Sequence, residues 1–528
     1  MSTDGGGIPP HHEGMLPVVE SVDVSQRDDV HKLHGGAVGL WGVLFLTVTG
    51  SAPISAMLFN TPFSAGFGNG IGTPAGFAFA TVVLTIFSVG YVAMSRKVTA
   101  AGGFYSFISH GLNRELGMAT GFSMVAAYSV FEVSLVGGFA YFVSLKFAYY
   151  GYHVSWYWAG AFMIALISVL AYFDVHISAR ILGVALISEV IALLVFDGFV
   201  FSSSGSHVQL AAINPVNAFK SLPAGKFGAV SYAAGAAGIG IFFAFWSWVG
   251  FEMAPNYGEE SKDPKRNVPR ALYISVIGLG VFYTVTSWAA ISGYHTIQEA
   301  AAISQGSPGS LYFIPAQHFA GWFLKDALSW LIITGSFACG MAFHNTTARY
   351  MYALGREGVL PKQLGRTHIK HKSPYIASTT QSVIAILIML AFVAFATVNP
   401  ATGAATSVAY LQVYGLMAVM GVVSILAIQA LVSVAIFNYF RVHHEAEHHW
   451  WTTVTAPIIA VVSQAIVLYL AIHNLKFLGS GYGYANDLVW ADLVIFIVGL
   501  GYAFYLKSSN RAKYETIGRM INQGMDQI

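Results

Sequence analysis

Between residues 36 and 507 the chain alternates long apolar runs with short polar connections. A hydrocarbon core about 30 Å thick is crossed by about 20 apolar residues of helix. At that length the pattern predicts twelve spans, at about 36–60, 74–96, 118–147, 155–175, 178–203, 229–255, 270–294, 326–354, 376–398, 404–439, 453–474 and 488–507. Two are interrupted. In the first span Thr47–Met57 reads TVTGSAPISAM, and Pro53 removes an N–H that a continuous helix would use. In the sixth, Phe242–Glu252 reads FFAFWSWVGFE, and a break is expected over Phe243–Gly250. Both fall near mid-depth, where an unpaired backbone group costs several kcal/mol, so a broken helix survives only where it lines a cavity or binds something. The N–H groups that start an outer half-helix attract a carboxylate, and the carbonyls that end an inner half-helix attract an ammonium group or cation.

Composition supports a membrane protein whose surroundings are a lipid bilayer: 55% of its 528 residues are hydrophobic and only 9% charged, against about a quarter charged in soluble domains. A net charge of +2 is too small to argue for nucleic acid. The single cysteine, Cys339, excludes an intrachain disulfide and reads as a small apolar residue packed in a helix. The first 35 residues are polar and lack the regions of a secretory signal, which predicts a flexible cytoplasmic tail. An even number of spans puts both termini on one side. With that side cytoplasmic, only Lys146, Lys220, Lys226, Lys325 and Lys476 of the 26 Lys and Arg residues lie outside, a strong positive-inside bias. The expected location is a bacterial cytoplasmic (inner) membrane.

Three separated motifs carry a resemblance. AGGFYSF (Ala101–Phe107) precedes the third span, FFAFWSWVGFE is followed by EESKDPKRNVPRA (Glu259–Ala271), and ARYMYALGREGVLP (Ala348–Pro361) closes the eighth. In this order, over about 35–439, they resemble the amino acid-polyamine-organocation permeases. The resemblance implies an all-α fold of the leucine-transporter type. Its ten-helix core, 36–439, comprises inverted repeats at about 36–203 and 229–439, with the first helix of each broken. Two peripheral helices then lie in 440–507, and a cytoplasmic tail in 508–528.

Substrate contacts are expected at the breaks, from Thr49, Gly50, Ser51, Ala52, Ile54, Ser55 and Ala56 in the first and Phe243, Ala244, Phe245, Trp246 and Gly250 in the sixth. Trp246 matches the position where related exchangers set an aromatic ring over the substrate. Typical members have a glycine-rich turn at the first break, where this chain has Ser55 and Ala56 after Pro53. That departure keeps an amine without a carboxylate in play. Ionisable groups at membrane depth are costly and functional by default. Glu132, on the span that flanks the family's pocket, is expected to pair with an amine unless it bonds a neighbouring span. Glu189 stands where some proton-coupled relatives carry a lysine, so it is expected to take a proton, contact a cation or hold a neighbouring helix. Glu252 ends the sixth-span motif as part of an inner gate or proton-responsive network. Ser336 is the nearest match to a sodium-ligating hydroxyl, which makes sodium the thinner case. His344 reads as a helix contact or a second titrating group, and Arg349 as an anchor for the inner end of its span.

His11, His12 and the stretch His443–His449 read as solvated loops rather than metal sites. The chain has no GxSxG or GxxxxGK[ST] motif, so neither an enzyme nor an ATP-driven pump is indicated, and no cofactor is expected. The expectation is a secondary transporter importing a small-molecule amino acid or related amine by alternating access with proton symport. An exchanger and a non-transporting sensor are the alternatives, and the sequence leaves the oligomeric state open.

Overall fold

The computed structural model describes residue 33 and residues 35–99, 102–173, 175–203, 207–307, 309–400, 403–442 and 448–518. Most of the N-terminal tail, with His11 and His12, and residues 443–447 of the histidine-rich loop lie outside them. Within the described residues, eleven helices are long and apolar enough to cross a membrane, and one further apolar helix, Trp156–Tyr172, is shorter.

The first span is built of two pieces. Helix α1 (Leu40–Gly50) ends at Ser51, and a second run, α2, starts at Pro53–Ser55, passes through a π-helical turn at Ala56–Asn60 and finishes as Thr61–Phe67. This run continues seven residues past the expected limit, with the π-helical turn immediately before Pro62. Then follow α3 (Thr73–Ser95), α4 (Gly103–Gly111), α5 (Arg114–Tyr149), α6 (Trp156–Tyr172) and α7 (Val175–Ser202).

The sixth span begins later than expected. Residues 229–236 are apolar enough to count as helix, yet Gly225–Phe227 and Val230–Tyr232 form a small antiparallel hairpin turning at Gly228, whose φ is +59°. Helix α8 (Ala237–Trp246) starts only after it and is followed beyond Gly250 by a 3₁₀ segment, Phe251–Tyr257. The remaining helices of interest are α9 (Pro264–Ser292), α10 (Trp322–Arg356), α11 (Tyr375–Phe395), α12 (Met417–Val442, preceded by a π-helical stretch at Ala405–Leu416), α13 (Ala456–His473) and α14 (Ala485–Ser509).

The two longest helices, α5 and α10, pack along each other, and α1, the start of α2 and the 3₁₀ segment after α8 lie against α10. One face of the molecule, here the tail face, gathers the approach to α1 and the segment after Tyr257: Val38 and Ser261 form a parallel bridge, Val38 N donates to Glu260 O at 2.9 Å, and Lys262 N donates to Val38 O at 2.9 Å. Residues 516–518 are docked here, since Gly518 N donates to Glu357 Oε2 at 3.1 Å and Thr516 Oγ1 to Glu357 O at 2.9 Å.

Candidate functional site

The helix breaks meet back to back. Ala52 adopts φ 42°, ψ 73°, a left-handed conformation rare outside glycine. Gly250 has φ +118°, and a Cβ placed on it would lie 2.3 Å from the carbonyl carbon of Gly50. A side chain on Gly50 would in turn come within 2.9 Å of Met253 Sδ. Two missing side chains therefore let the unwound segments touch.

The backbone groups freed by unwinding are met from three directions. Tyr283 donates its hydroxyl to Ser51 O at 3.0 Å, Cys339 Sγ donates to Gly50 O at 3.3 Å, and Ser51 Oγ donates to Trp248 O at 3.3 Å. At the start of α2, Ile54 N donates to Glu189 Oε2 at 3.4 Å. The carboxylate fits there because residue 335 of α10 is glycine; an ideal Cβ at that position would lie 2.7 Å from Glu189 Oε1. Glu252 folds back on its own break, accepting from Gly250 N and from the Tyr128 hydroxyl, each at 2.9 Å. Two of the acidic residues singled out in the sequence thus cap broken helix ends, where an anion is favoured by the local peptide dipoles.

Between the breaks, α5 and α10 enclose a cavity of about 30 Å³, room for about two waters. Its polar half is Ser51, Ser55, Asn60 and Ser247, and its apolar half Phe131, Leu135, Val249, Cys339 and Phe343; Gly50, Ala52, Ala56, Trp246 and Tyr414 complete the lining. No lining side chain is charged. Asn60 Nδ2 donates to Ser247 Oγ at 3.0 Å, while Asn60 Oδ1 and Ser55 Oγ have no partner among the described residues, although both residues are buried.

Of the expected contacts, Gly50, Ser51, Ala52, Ser55, Ala56 and Trp246 line this cavity, and Thr49, Ile54, Phe243, Ala244, Phe245 and Gly250 do not. Thr49 Oγ1 donates to Leu182 O at 3.4 Å and Phe245 packs against Phe79, each facing outward from the break. Glu132 does not line the cavity and bonds neighbouring spans, the second of the two courses expected for it. Phe131 occupies the wall, and the next residue is rotated about 100° around the helix, so the carboxylate meets α10 and α11 instead, accepting from Gln381 Nε2 at 2.7 Å. Ser336 turns its hydroxyl onto its own helix, donating to Ile332 O at 2.7 Å.

Sequence reasoning missed Asn60, Ser247, Phe131, Phe343, Cys339 and Tyr414. Asn60 and Ser247 carried a legible signal, as polar residues one turn from Ala56 and next to Trp246. Tyr414 carried none, since its ring arrives from a stretch distant in sequence.

On the face opposite the tail face, a vestibule of about 660 Å³ opens among Phe63, Phe67, Tyr410 and the connection from His473 to Gly481. Aromatic rings separate it from the cavity: Phe63 stacks on Phe243 (centroids 5.0 Å), Phe243 on Trp246 (5.1 Å) and Trp246 on Tyr414 (5.8 Å). The tail face is closed more heavily. Arg349 Nε and Nη2 donate to the two carboxylate oxygens of Glu260 at 2.7 and 2.9 Å, with both side chains buried and the Tyr257 ring over the guanidinium. Arg356 makes a second bidentate pair with Glu259 at 2.9 and 2.6 Å.

Two unwound membrane-length helices sharing one enclosed cavity define a polytopic membrane protein of broken-helix design. Comparison with known proteins names the family: the model described as "Amino acid permease" matches residues 38–500, and the chain belongs to that family, as the three motifs implied. The low-affinity putrescine importer PlaP of Escherichia coli K12 is 23% identical over 60% of this chain, which spans 66% of that protein. The branched-chain amino acid permease BcaP of Lactococcus lactis subsp. cremoris is 24% identical over 70% of this chain and 79% of its own. The mouse b(0,+)-type amino acid transporter 1 is 24% identical over 38% of this chain and 37% of its own. Each is a transporter, none an enzyme. The fold matches that of the Eremococcus coleocola manganese transporter with a TM-score of 0.57 at 12% identity, covering 95% of this chain and 97% of the other.

Proposed function

We propose that this permease imports a small amino acid with an uncharged side chain across a bacterial cytoplasmic membrane, by alternating access and with a proton. The observation that carries the reading is the charge-free cavity at the two helix breaks. Asn60 Oδ1, a buried acceptor without a partner among the described residues, suits an ammonium group, and the apolar half suits an aliphatic side chain. A diamine would bring a second cation into this half at a cost of several kcal/mol, and Glu132, Glu189 and Glu252 are engaged elsewhere. One relative's name specifies branched-chain amino acids and another's putrescine; the cavity favours the former.

The twelve-span arrangement, its 5+5 inverted repeats and the cytoplasmic placement of both termini belong to the same proposal. They are supported by unwinding in the first and sixth spans and by the one-sided distribution of basic residues. Glu189 at the start of α2 supports a proton over sodium as the coupled ion, with Ser336 turned away. The test is uptake into proteoliposomes of labelled L-valine, L-alanine and putrescine under an acid-outside gradient. Valine or alanine should accumulate and putrescine should not. Accumulation of putrescine alone would overturn the substrate reading, and a strict requirement for internal amino acid would assign exchange instead of symport.

A further inference from the structure

Behind the aromatic wall of the cavity lies a buried acid–imidazole pair that the broken helices do not use. Phe131 of α5 and Phe343 of α10 stack face to face, with centroids 4.7 Å apart and planes 7° apart, and line the cavity. The residue after each one turns away from the cavity toward its counterpart. His344 Nδ1 lies 3.0 and 3.1 Å from the two carboxylate oxygens of Glu132, and both side chains are fully buried. Two further groups complete the arrangement. Gln381 Nε2 donates to Glu132 Oε2 at 2.7 Å while its Oε1 accepts from Ser129 Oγ at 2.7 Å, and His344 Nε2 lies 2.8 Å from Ser378 Oγ.

We propose that Glu132 and His344 together form a proton-binding site distinct from Glu189, filled from the tail face through Ser378. With Nδ1–H donated to the carboxylate, Nε2 is the nitrogen that gains or loses the proton. A serine hydroxyl serves both states, donating to a neutral imidazole or accepting from an imidazolium. The change needs rotation of one O–H and no movement of heavy atoms. The neutral-imidazole state leaves a net charge of −1 in an apolar interior, and binding one proton cancels it.

Ser378 also lines a small crevice of about 10 Å³ at the tail face together with Asn345, Arg349, Glu260 and His371. Of the charged or titratable groups on the packed helices, Tyr128 of α5 is bonded to Glu252, and Arg349 of α10 is bonded to Glu260. Tyr375 starts α11, and Tyr172 ends α6, whose Ser168 bonds Ser382 one turn from Ser378. Among the described residues, none of these forms a hydrogen bond to the pair. Because the residues before Glu132 and His344 are the stacked phenylalanines, the pair changes its charge directly behind the wall that a substrate side chain would meet. This last step rests on the cavity being the substrate site, whereas the proton site itself does not.

The experiment separates the two. Full-length protein with ¹⁵N-labelled histidine is studied in nanodiscs by NMR between about pH 5 and pH 9, the window in which imidazoles titrate, and the His344 signal is identified by its loss in His344→Gln. Titration of its Nε2 inside that window, displaced in Glu132→Gln, is expected; an imidazole that keeps one protonation state throughout overturns the proposal. Ser378→Ala, which removes the hydroxyl and little packing, should shift this titration as well, so the test survives if His344→Gln fails to fold. In pH-clamped counterflow of L-valine, the wild-type rate should change at least about threefold between pH 5.5 and 8, and the profile of Ser378→Ala should move with its NMR titration. No valine counterflow at any pH, with a normal NMR titration, would sink the substrate reading and leave the proton site standing. A counterflow profile unaltered in Ser378→Ala, despite a shifted titration, would overturn the link between the pair and the wall.

Discussion

At the scale of single residues, the site is governed by which side chains are absent or spoken for. Ala52 holds a left-handed backbone at a cost of about 1 kcal/mol, so Ala52→Gly should keep transport and a thermal midpoint no lower than wild type. Ala52→Val, with a branched Cβ at positive φ and extra bulk in the cavity, should lose about 2 kcal/mol and most uptake; equal melting curves for the two variants would contradict this. Glu189 was legible as a buried acid, but its role as a cap for Ile54 N–H was not, because the partner lies 135 positions away in sequence. If it carries the coupled proton, Glu189→Gln should abolish acceleration of uptake by a pH gradient and leave valine counterflow within about threefold of wild type. Gradient-driven uptake at the wild-type rate would remove Glu189 from coupling.

At the scale of elements, the breaks depend on each other. Gly250 allows the 3₁₀ segment after α8 to approach the end of α1, where a Cβ would lie 2.3 Å from Gly50 backbone. Gly250→Ala should therefore separate the two unwound segments, costing about 3 kcal/mol and opening the cavity lining. The measurement is thermal stability in detergent together with valine binding, and a fully stable, binding-competent Gly250→Ala would show that the contact is dispensable. Pro53 makes the first break readable in the sequence, and the FFAFWSWVGFE motif with Gly250 marks that in the sixth span. The hairpin over residues 225–232, which takes up the start of the expected sixth span, is not readable by hydropathy, because small apolar residues score as helix wherever the backbone turns.

Across the whole molecule, closure is asymmetric: stacked rings separate the cavity from the vestibule, while two bidentate ion pairs seal the tail face. Breaking one partner of a buried pair costs about 3–5 kcal/mol, so Glu260→Gln should shift the population toward a state open at the tail face. Cys339 lines the cavity and is the only cysteine of the chain, which makes it a built-in reporter. Its labelling by a membrane-impermeant maleimide from the tail face should rise about tenfold or more in Glu260→Gln and fall again with added valine. Unchanged labelling would show that the Arg349 pair does not hold the gate.

The sequence by itself determined the membrane setting, the two broken helices and the family, because hydropathy, proline, glycine and motif order leave local signatures. It also named six of the cavity residues at the breaks, Gly50, Ser51, Ala52, Ser55, Ala56 and Trp246. Only the tertiary structure decided what those breaks enclose. Tyr414, Phe131 and Phe343 reach the cavity from helices far apart in the chain, and Glu132 is carried past it to His344 by a single residue's rotation. Which of two neighbouring side chains faces a cavity depends on how its helix is turned against its neighbours, and that angle is set by packing, which no local pattern records.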